Sequence, residues 1–528
     1  MKVALIMMDP MLSKRKHRAG GAVYALAAYL KHKNFLGQGI ALDIFNFNSA
    51  YMGAININAS AIIDFKPDVV GFSTYCWNLD AVKLLVKLIK SSLPESLIVL
   101  GGPEVSYNAS EMLRDINEVD MVIRGEGEIT FSEVINSFFL GNKDYSNVLG
   151  ITYRVSNKKI VTNKDRPLHA ILDDFPSPFQ TQVINLSDSD GEVVYETVRG
   201  CMFKCSYCLH TKGMSYVREY SLQRVEDDLK IILKSPHVDI IWFLDPTFNA
   251  NEKRALDILK IIEKYNPHMR LAFELRADML TDKIIDQMSK LNVSEVGIGL
   301  QSYSEKTNEM IYRKNNIAIV EEKLYKLHRA ISRTCVQFDI DLIYGLPGDT
   351  YESYKNSVNY VISLGARIYY QPLRIFKGTK LYEDKNKYGI YYNQHSPYNV
   401  LSNRTFTIDD MVSAYCLNVG IDYYNRGGKY KNIVDAIISY RNITHVDFLE
   451  NIGRYFWNKK CYDVFRMANW TPDDRNDTMV NNDFVTMLYA YLKNTNDDRL
   501  IELMKENNFY MIDYTQKDTA AAFFHLAI

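Results

Sequence analysis

The spacing of three cysteines constrains this chain more than any other feature of its sequence. Cys201, Cys205 and Cys208 follow one another as C-x3-C-x2-C, and Tyr207 stands directly before the third cysteine. Thiolates at this spacing on a short loop converge on one face of an iron–sulfur cluster. A [4Fe–4S] cluster bound by three cysteines keeps one iron without a protein ligand, and that iron can chelate a small molecule. We therefore predict a [4Fe–4S] site at these three residues.

Zinc and disulfide sites fit the same cysteines less well. Zinc usually takes four nitrogen or sulfur ligands, and no second cysteine pair lies nearby, but His210 would complete such a site and keeps this alternative open. The other cysteines are scattered along the chain, which disfavours disulfides and predicts no second iron–sulfur cluster. They are Cys76, Cys335, Cys416 and Cys461.

The segment CMFKCSYC at 201–208 resembles the cluster motif of the radical S-adenosylmethionine (SAM) superfamily, including the aromatic residue before the last cysteine. The resemblance implies that SAM chelates the open iron through its amino and carboxylate groups. It also implies that reductive cleavage of SAM yields a 5'-deoxyadenosyl radical, which abstracts a hydrogen atom from the substrate. Tyr207 is then expected beside SAM, and an electron donor of the reductase or flavodoxin type is expected as a partner.

The composition is that of an ordinary globular protein with room for several domains. The 528 residues are 47% hydrophobic and 24% charged, with a formal net charge of -1. This balance creates no overall field that attracts nucleic acid or anionic lipid. The apolar run Val3–Met8 is too short for a secretory signal, and no apolar stretch has the length of a membrane span. We expect a cytoplasmic protein that acts on a small molecule or a peptide.

Strands and helices alternate over residues 1–142. Short apolar runs between helical patterns predict a parallel sheet covered by helices, in a flavodoxin-like, Rossmann-like α/β domain. Ligands of such sheets bind beyond the carboxyl ends of the strands. The predicted strands are Val3–Met8, Ala41–Asn46, Asp68–Ser73, Leu97–Leu100 and Asp120–Ile123, and the predicted helices are Gly21–Lys33, Ala54–Asp64, Asp80–Ser91, Ala109–Asp115 and Glu128–Leu140.

Polar and glycine-rich segments follow three of these strands. GGPEVS at 101–106 and RGEGE at 124–128 resemble the cobalamin-binding domain that precedes the radical SAM core in one branch of the superfamily. A flavodoxin-like domain with another ligand, or with none, is the alternative. The resemblance implies these cobalamin-binding residues: Ser73, Thr74, Gly101, Gly102, Pro103, Glu104, Gly125, Glu126 and Gly127.

A histidine ligand to cobalt is not predicted. Many cobalamin proteins carry Asp-x-His-x-x-Gly, and this chain has His17 and Gly20 in that spacing but Arg15 where the aspartate is expected. Without that carboxylate, nothing obvious orients the imidazole as a ligand. We therefore interpret His17 as a loop residue.

The remaining chain is predicted to form a connecting segment, a barrel and a helical domain. Residues 143–190 are predicted as a hairpin, Gly150–Val155 with Lys159–Thr162, followed by a proline-containing linker. Residues 191–385 are predicted as a partial (β/α)6 barrel with strands at Glu192–Val198, Asp239–Leu244, Leu271–Leu275, Glu295–Leu300, Val336–Ile343 and Arg367–Ile375. Residues 386–528 are predicted as helices at Ile408–Arg426, Lys431–Thr444, His445–Lys459, Val480–Lys493 and Asp498–Asn507.

Polar residues stand where the barrel strands end, as catalytic residues do in barrels of this kind. The positions match SAM-contacting positions of the family, which implies that Asp245 holds the SAM amino group. Glu274 and Arg276 are two residues apart and share one face of their strand, so one suits the ribose hydroxyls and the other the SAM carboxylate. A salt bridge between these two at the barrel rim is the alternative. Gln301 and Ser302 match the family's polar pair on strand four.

The resemblance covers about residues 1–385 and implies a cobalamin-dependent radical SAM enzyme. The activity it implies first is C-methylation at an unactivated carbon, with the [4Fe–4S] cluster, SAM and cobalamin as cofactors. A radical rearrangement or ring contraction is the first alternative, and a cobalamin-binding sensor with a structural cluster is the second. A tRNA methylthiotransferase is disfavoured because the N-terminal part lacks the cysteines of a second cluster.

Overall fold

The computed structural model describes residues 1–9, 18–48, 55–156, 159–209, 216–425 and 428–458. The described chain divides into two compact units between Ile408 and Asp409. None of the described helices has both the length and the apolar character needed to cross a bilayer. His17, His210 and Cys461, and the predicted helices Val480–Lys493 and Asp498–Asn507, lie outside the described residues.

The first domain is a twisted sheet with helices on both faces, and its strands at Val69–Ser73 and Met121–Ile123 are buried along their whole length. Its strands are β1 (Lys2–Asp9), β2 (Ala41–Asn48), β3 (Val69–Ser73), β4 (Leu97–Gly101), β5 (Met121–Ile123), β6 (Ile151–Ser156) and β7 (Lys159–Thr162). Its helices are α1 (Ala22–His32), α2 (Ile55–Phe65), α3 (Leu79–Ser92), α4 (Pro103–Ser106), α5 (Ala109–Asp115) and α6 (Glu128–Phe139).

The strand order is β2-β1-β3-β4-β5-β6-β7, and the first five of these strands are parallel. This is the strand order of flavodoxin-like domains, and the predicted flavodoxin-like, Rossmann-like fold of this domain is confirmed. The helices α2, α3 and α5 pack on one face of the sheet, and α1 and α6 pack on the other. The carboxyl ends of β3, β4 and β5 therefore meet at one edge.

The predicted hairpin does not belong to a separate connecting segment. Strand β6 pairs antiparallel with β5, and β7 pairs with β6, so the hairpin extends the first sheet. The assignment of 143–190 to a hairpin and linker outside the first domain is thus corrected. The physical reason is that β5 would otherwise leave its backbone groups unpaired along one edge.

The second domain is an open barrel of six parallel strands. The elements in chain order are β8 (Glu192–Tyr195), β9 (Val198–Arg199), β10 (Arg218–Glu219), α7 (Leu222–Lys234), β11 (Ile240–Phe243), α8 (Glu252–Tyr265), β12 (Arg270–Leu275), α9 (Asp282–Ser289), β13 (Val293–Gln301), α10 (Glu305–Met310), α11 (Ile317–Ile331), β14 (Gln337–Tyr344), α12 (Tyr351–Ser363) and β15 (Arg367–Pro372). The sheet order is β15-β14-β13-β12-β11-β8, which confirms the predicted partial (β/α)6 barrel.

The first barrel strand is shorter than predicted. It ends at Tyr195, and Val198 and Arg199 instead pair antiparallel with Glu219 and Arg218. The strand stops because the backbone N–H groups of Thr197 and Val198 donate to the carboxylate of Asp245, at 2.7 and 3.1 Å, rather than to a neighbouring strand. The antiparallel ribbon formed by β9 and β10 lies at the two ends of the loop that carries the cysteines.

The first helix of the C-terminal part begins at Ile408 as predicted, but the compact unit that contains it begins later than the predicted residue 386. Residues 373–402 continue from the barrel through α13 (Lys380–Glu383) and a hairpin of β16 (Tyr391–Tyr392) and β17 (Val400–Ser402). Leu381, Ile390 and Val400 pack into one apolar cluster with barrel residues Ile311 and Leu346, so the boundary predicted at 386 moves to 408. The described helices beyond it are α14 (Ile408–Asn425), α15 (Gly428–Arg441) and α16 (His445–Asn458).

Candidate active site

One cavity of about 870 Å³ joins the carboxyl ends of the N-terminal strands to the cysteine loop of the barrel. This volume lies in the upper part of the range for small-molecule and cofactor sites. Its barrel side includes Tyr207, Cys208 and Leu209. Its N-terminal side includes eight of the nine residues predicted to bind cobalamin: Ser73, Gly101, Gly102, Pro103, Glu104, Gly125, Glu126 and Gly127.

Thr74 is the predicted cobalamin residue that does not line this cavity. Its side chain is fully buried, and its backbone accepts from Glu104 N at 3.3 Å and donates to Gly101 O at 2.7 Å. Thr74 therefore joins the loop after β3 to the loop after β4. Its hydroxyl is buried and has no hydrogen-bond partner among the described residues, and its predicted contact with cobalamin stays a prediction.

Glycines give the cavity wall its shape. Gly102 has a φ of 105°, and a Cβ there would lie 2.5 Å from Thr74 O, so no other residue fits this turn without strain. Gly125 has a φ of 76°, and a Cβ on it would meet no protein atom within 4 Å. The wall at Gly125 is thus bare backbone, which suits close approach of a large ligand.

Two aromatic residues of the same wall were not among the predicted site residues. Tyr75 and Trp77 stack with ring centroids 4.3 Å apart and planes 9° apart, and both line the cavity with Cys76. Trp77 exposes 46% of its surface although it is a large apolar residue. A flat aromatic pair that lines a cavity is a surface on which a flat ring system can stack. The sequence signal was two aromatics in a strand-end loop, where no core position requires them.

Glu104 and Glu126 line the cavity but use their carboxylates within the protein. The Tyr398 hydroxyl donates to Glu104, whose pKa burial raises to about 7. Glu126 binds Arg199 and Arg218. Although burial opposes it, the hydrogen bonds and charges of these two arginines lower the pKa of Glu126. Glu126 therefore positions the loop through the two arginines, and its predicted contact with cobalamin stays a prediction.

The cysteine loop carries three free thiols and is anchored to the barrel on both sides. Cys205 is buried and Cys201 and Cys208 are half-buried. Ser206 N donates to Ile311 O at 2.9 Å, and Leu381 N donates to Ser206 O at 2.8 Å. The three thiols thus sit on a loop of fixed backbone, as a cluster site requires. In the described part of the chain, no three His, Cys, Asp or Glu side chains lie close enough together to hold a single metal ion.

Tyr207 is half-buried between Cys205 and Cys208. It packs against the apolar cluster that contains Ile311 and Leu381, and burial raises the pKa of its hydroxyl. Tyr207 also lines the large cavity next to the cysteines, and its predicted contact with SAM stays a prediction.

Asp245 is buried and fully engaged at the base of the loop. Besides the two backbone N–H groups that end β8, it accepts from Thr197 Oγ1 at 2.5 Å, and burial raises its pKa to about 6. These contacts hold the chain just before the first cysteine. The predicted contact of Asp245 with the SAM amino group stays a prediction.

Arg276 packs directly on the cysteine loop. Its guanidinium lies 3.9 Å from the ring centroid of Phe203, and its Nε and Nη2 pair with Asp278 at 2.9 and 2.6 Å. The ion pair is thus with Asp278 and not with Glu274, which answers the alternative of a rim salt bridge between Glu274 and Arg276. Its Nη1 is buried and has no hydrogen-bond partner among the described residues. That donor beside the loop fits a bound carboxylate.

Glu274 faces the barrel interior with two further carboxylates. Phe338 and Tyr344 of β14 pack outward on α11 and α12, so Asp339 and Asp341 between them face inward. Glu274 is exposed to the open interior of the barrel, and its enclosed surroundings there, followed by repulsion from Asp339, raise its pKa. Gly297 lies on β13, between Glu274 of β12 and Asp339 of β14. A Cβ at Gly297 would lie 2.7 Å from Glu274 Oε2, so this position leaves room for the Glu274 carboxylate.

Gln301 and Ser302, the predicted polar pair on strand four, have different surroundings. Gln301 is buried at the end of β13 with a φ of 69°, beside Gly299, where a Cβ would lie 2.5 Å from its Nε2. The hydroxyl of Ser302 accepts from Ser304 N at 3.1 Å, and its carbonyl accepts from Asn308 at 2.6 Å. Ser302 is fully buried and holds its own loop, and its predicted contact with SAM stays a prediction.

Arg313 is a site residue that the sequence did not reveal. It is buried, and its Nη1 lies 3.8 Å from Cys205 Sγ although the two residues are 108 positions apart. Its Nη2 donates to the carbonyl of Gly299. A single arginine in a loop belongs to no periodic pattern or motif. Because Arg313 and Cys205 are 108 positions apart, the sequence gives no sign that they are in contact.

Family models match three parts of the chain. The model of the radical SAM superfamily matches residues 195–361, and that of the B12 binding domain matches residues 23–135. A family described as a protein of unknown function (DUF4080) matches residues 386–520. The first two matches confirm the predicted radical SAM and cobalamin-binding domains, and with them the [4Fe–4S] cluster, SAM and cobalamin as cofactors.

Individual proteins agree with these matches. An uncharacterised methyltransferase of Pyrococcus horikoshii is 28% identical over 338 residues, which are 62% of this chain and 71% of that protein. The cobalamin-dependent radical SAM methyltransferase TokK of Streptomyces tokunonensis is 25% identical over 332 residues, covering 59% of this chain and 47% of TokK. The structure of the cobalamin-dependent SAM radical enzyme OxsB with aqua-cobalamin bound has the same fold, with a TM-score of 0.65 and 15% identity over 96% of this chain and 83% of that one.

Proposed function

We propose that this chain, which carries a radical SAM domain behind a B12-binding domain, is a cobalamin-dependent methyltransferase acting on an unactivated carbon of a small molecule. The observation that supports this most is the single cavity shared by Gly101, Gly102 and Gly125 with Tyr207 and Cys208. A methyl donor and a radical generator must reach the same carbon atom, and a shared cavity supplies that proximity. The names of the relatives, a methyltransferase and TokK, point the same way.

The chain's own residues divide the work of holding the cofactors. Cys201, Cys205 and Cys208 would bind the cluster, while the bare backbone at Gly102 and Gly125 would receive cobalamin. When bound, the cluster with SAM supplies a 5'-deoxyadenosyl radical that removes a hydrogen atom, and cobalamin supplies the methyl group. An external donor of the reductase or flavodoxin type would supply the electron.

Two side chains are best placed for SAM. Arg276 keeps a buried Nη1 without a hydrogen-bond partner among the described residues, so it would pair with the SAM carboxylate while its other nitrogens stay on Asp278. Glu274 faces the barrel interior and would accept from the ribose hydroxyls. Asp245 would act at the base of the loop through Thr197, in addition to any contact with the SAM amino group.

The products of SAM test this proposal without knowledge of the substrate. Protein reconstituted anaerobically with iron, sulfide and cobalamin is given SAM and a one-electron reductant, and nucleosides are separated by chromatography. We expect S-adenosylhomocysteine, from methylation of the bound cobalamin, together with 5'-deoxyadenosine. 5'-Deoxyadenosine without S-adenosylhomocysteine would support a rearrangement or ring contraction instead. The absence of both would support a sensor with a structural cluster.

The variant Cys205→Ala controls this experiment. It removes one cluster ligand on the barrel side and leaves the cavity wall at Gly102 and Gly125 intact. We expect it to abolish 5'-deoxyadenosine formation while cobalamin still binds. A matched control is Cys335→Ala, since Cys335 is half-buried at the start of β14 and donates to Gln337 O away from the loop. That variant is expected to keep both products.

A further inference from the structure

The strongest unexplained feature of the molecule is a buried ion network between its first two domains. Glu126 and Glu128 come from the segment after β5, whose glycines line the cavity. Arg199 of β9 stands two residues before Cys201, and Arg218 of β10 closes the same loop. The network thus joins the wall of the cobalamin cavity to the two ends of the cysteine loop.

The contacts are close and numerous. Arg218 donates to the two carboxylate oxygens of Glu126 through Nη1 and Nη2, at 2.9 and 2.8 Å. This bidentate geometry fixes orientation as well as distance. Arg199 donates to Glu126 at 3.1 Å and to Glu128 at 2.6 Å. Its Nε pairs with Glu196 of its own domain at 2.8 Å.

The ribbon at the base of the loop depends on these glutamates. Arg199 and Arg218 stand directly opposite each other in the antiparallel pair of β9 and β10. Like charges in that position repel each other. The two residues expose 9% and 4% of their surface, so water cannot screen them. Buried charges need partners of opposite sign. Two of the three carboxylates that neutralise this pair come from the B12-binding domain.

We propose that Glu126 is a positioning residue that couples the two cofactor sites, so that cobalamin in its cavity orders the base of the cluster loop. Glu126 stands between Gly125 and Gly127, both of which line the cavity. A ligand resting on these glycines therefore fixes the backbone that carries the carboxylate. The carboxylate in turn sets the separation of Arg199 and Arg218, and hence of the two ends of the cysteine loop.

Coupling of this kind is reciprocal. If bound cobalamin favours the arrangement of Glu126, Arg199 and Arg218 that the cluster-loaded protein has, then cluster loading must favour cobalamin binding by the same factor. Couplings between sites typically change an affinity by about 5-fold to 150-fold. We expect loading of the cluster to tighten cobalamin binding by about tenfold. The inference rests on the proposed function insofar as both cofactors bind.

The test compares cobalamin affinity with and without the cluster in the full chain. Hydroxocobalamin is titrated anaerobically by absorbance into cluster-loaded protein and into protein freed of iron by chelation. In Glu126→Gln, which keeps the shape but removes the charge, we expect the ratio of the two dissociation constants to fall from about tenfold to near one. With diamagnetic cob(I)alamin, which adds no spin of its own, the electron paramagnetic resonance (EPR) signal of the reduced cluster should also stop responding to cobalamin.

Arg218→Gln separates positioning from direct contact. Arg218 binds Glu126 but is not among the residues that line the cavity, so a direct cobalamin contact cannot explain its effect. We expect the same loss of the ratio as in Glu126→Gln, and no further loss when the two changes are combined, since both break one interaction. This variant also keeps the inference testable if Glu126→Gln does not fold.

The matched control is Asp120→Asn. Asp120 is a carboxylate of the same domain that pairs with Lys90 at 2.9 Å and accepts from Ile98 N at 2.7 Å, away from the cysteine loop. Its variant should lose some stability and keep the wild-type ratio.

Three results would overturn the inference. A wild-type ratio of one with both cofactors bound removes the coupling but leaves the proposed function standing. An unchanged ratio in Arg218→Gln removes the network as its route. A protein that binds no cobalamin at all defeats the proposed function together with the inference.

Discussion

Single side chains set the electrostatics around the three cysteines. Arg313 is buried and places a guanidinium nitrogen 3.8 Å from Cys205 Sγ. Arg276 stacks on Phe203 of the same loop and is neutralised by Asp278. The two arginines therefore act differently, since Arg313 directs its charge at a cluster ligand while Arg276 holds the loop in place.

The charge of Arg313 should be visible in the reduction potential of the cluster. A positive charge close to a ligand sulfur favours the state with the extra electron, so Arg313→Gln is expected to lower the midpoint potential. A change of about 1.4 kcal/mol corresponds to a shift on the order of 60 mV for one electron. An EPR-monitored redox titration measures it. The control is Arg270→Gln, whose partner Glu295 lies at the start of the barrel strands. A higher or unchanged potential in Arg313→Gln would contradict the assignment.

Glu104 predicts how stability changes with pH in the cofactor-free chain. Burial raises its pKa from 4.5 to about 7, so the folded state binds the proton more tightly than the unfolded state does. The contribution of Glu104 is therefore fully present below about pH 4.5 and is lost as the pH rises toward 7, by no more than about 3 kcal/mol. We expect Tm in Glu104→Gln to fall less than the wild-type Tm between pH 5 and pH 8. The control is Glu111→Gln, which removes an exposed partner of Lys377. Equal changes in all three proteins would show that Glu104 is not the titrating group.

At the scale of elements, the loops after β3, β4 and β5 make one wall of the cavity. Gly125 and Gly141 allow the contribution of this wall to be isolated, because their φ values are 76° and 71° and neither would place a Cβ within 4 Å of another atom. Only the first of the two lines the cavity. An alanine at either position would have to adopt the same left-handed backbone conformation, which lowers the stability of the fold by about 1–2 kcal/mol.

We therefore expect Gly125→Ala and Gly141→Ala to lower Tm by similar amounts. Cobalamin affinity, measured by absorbance titration, should fall at least about tenfold in Gly125→Ala alone, since one methyl group then occupies the ligand space. Iron content should stay unchanged in both. Equal cobalamin affinity in the two variants would mean that the ligand does not rest on this wall.

Most elements follow from the sequence because their determinants are local. Apolar runs such as Val69–Ser73 have a period and length that specify a buried strand, and helix α5 begins and ends where the pattern predicts. The ribbon of β9 and β10 was missed because it has two residues per strand and depends on Asp245, Glu126 and the ends of a long loop. Two-residue pairings carry no sequence period.

The segments that line the cavity were predictable because their motifs are also local. The role of each side chain within those segments was not predictable. The glycines at 101, 102, 125 and 127 line the cavity as predicted. Glu126 and Ser302 bind protein partners through their side chains, and Thr74 does so through its backbone. A motif reports which residue types stand together, whereas the partner of each side chain depends on contacts that are distant in sequence.

At the scale of the whole molecule, the account rests on two domains that share one cavity. The B12-binding sheet supplies its glycine wall, the barrel supplies the cysteine loop, and the network around Glu126 fixes their junction. Residues 373–402 add to this junction, since Tyr398 reaches Glu104 and Phe376 lines the cavity. The chain is therefore expected to hold its two metal cofactors close together.

EPR spectroscopy of the protein loaded with both cofactors tests this claim most directly. A sample is poised so that the reduced cluster and cob(II)alamin are both paramagnetic, and it is compared with samples that contain one of them. The account predicts that each signal is broadened and relaxes faster in the presence of the other, because the two spins lie across one cavity. Two sharp signals that add without change, or iron without any bound cobalt, would contradict it.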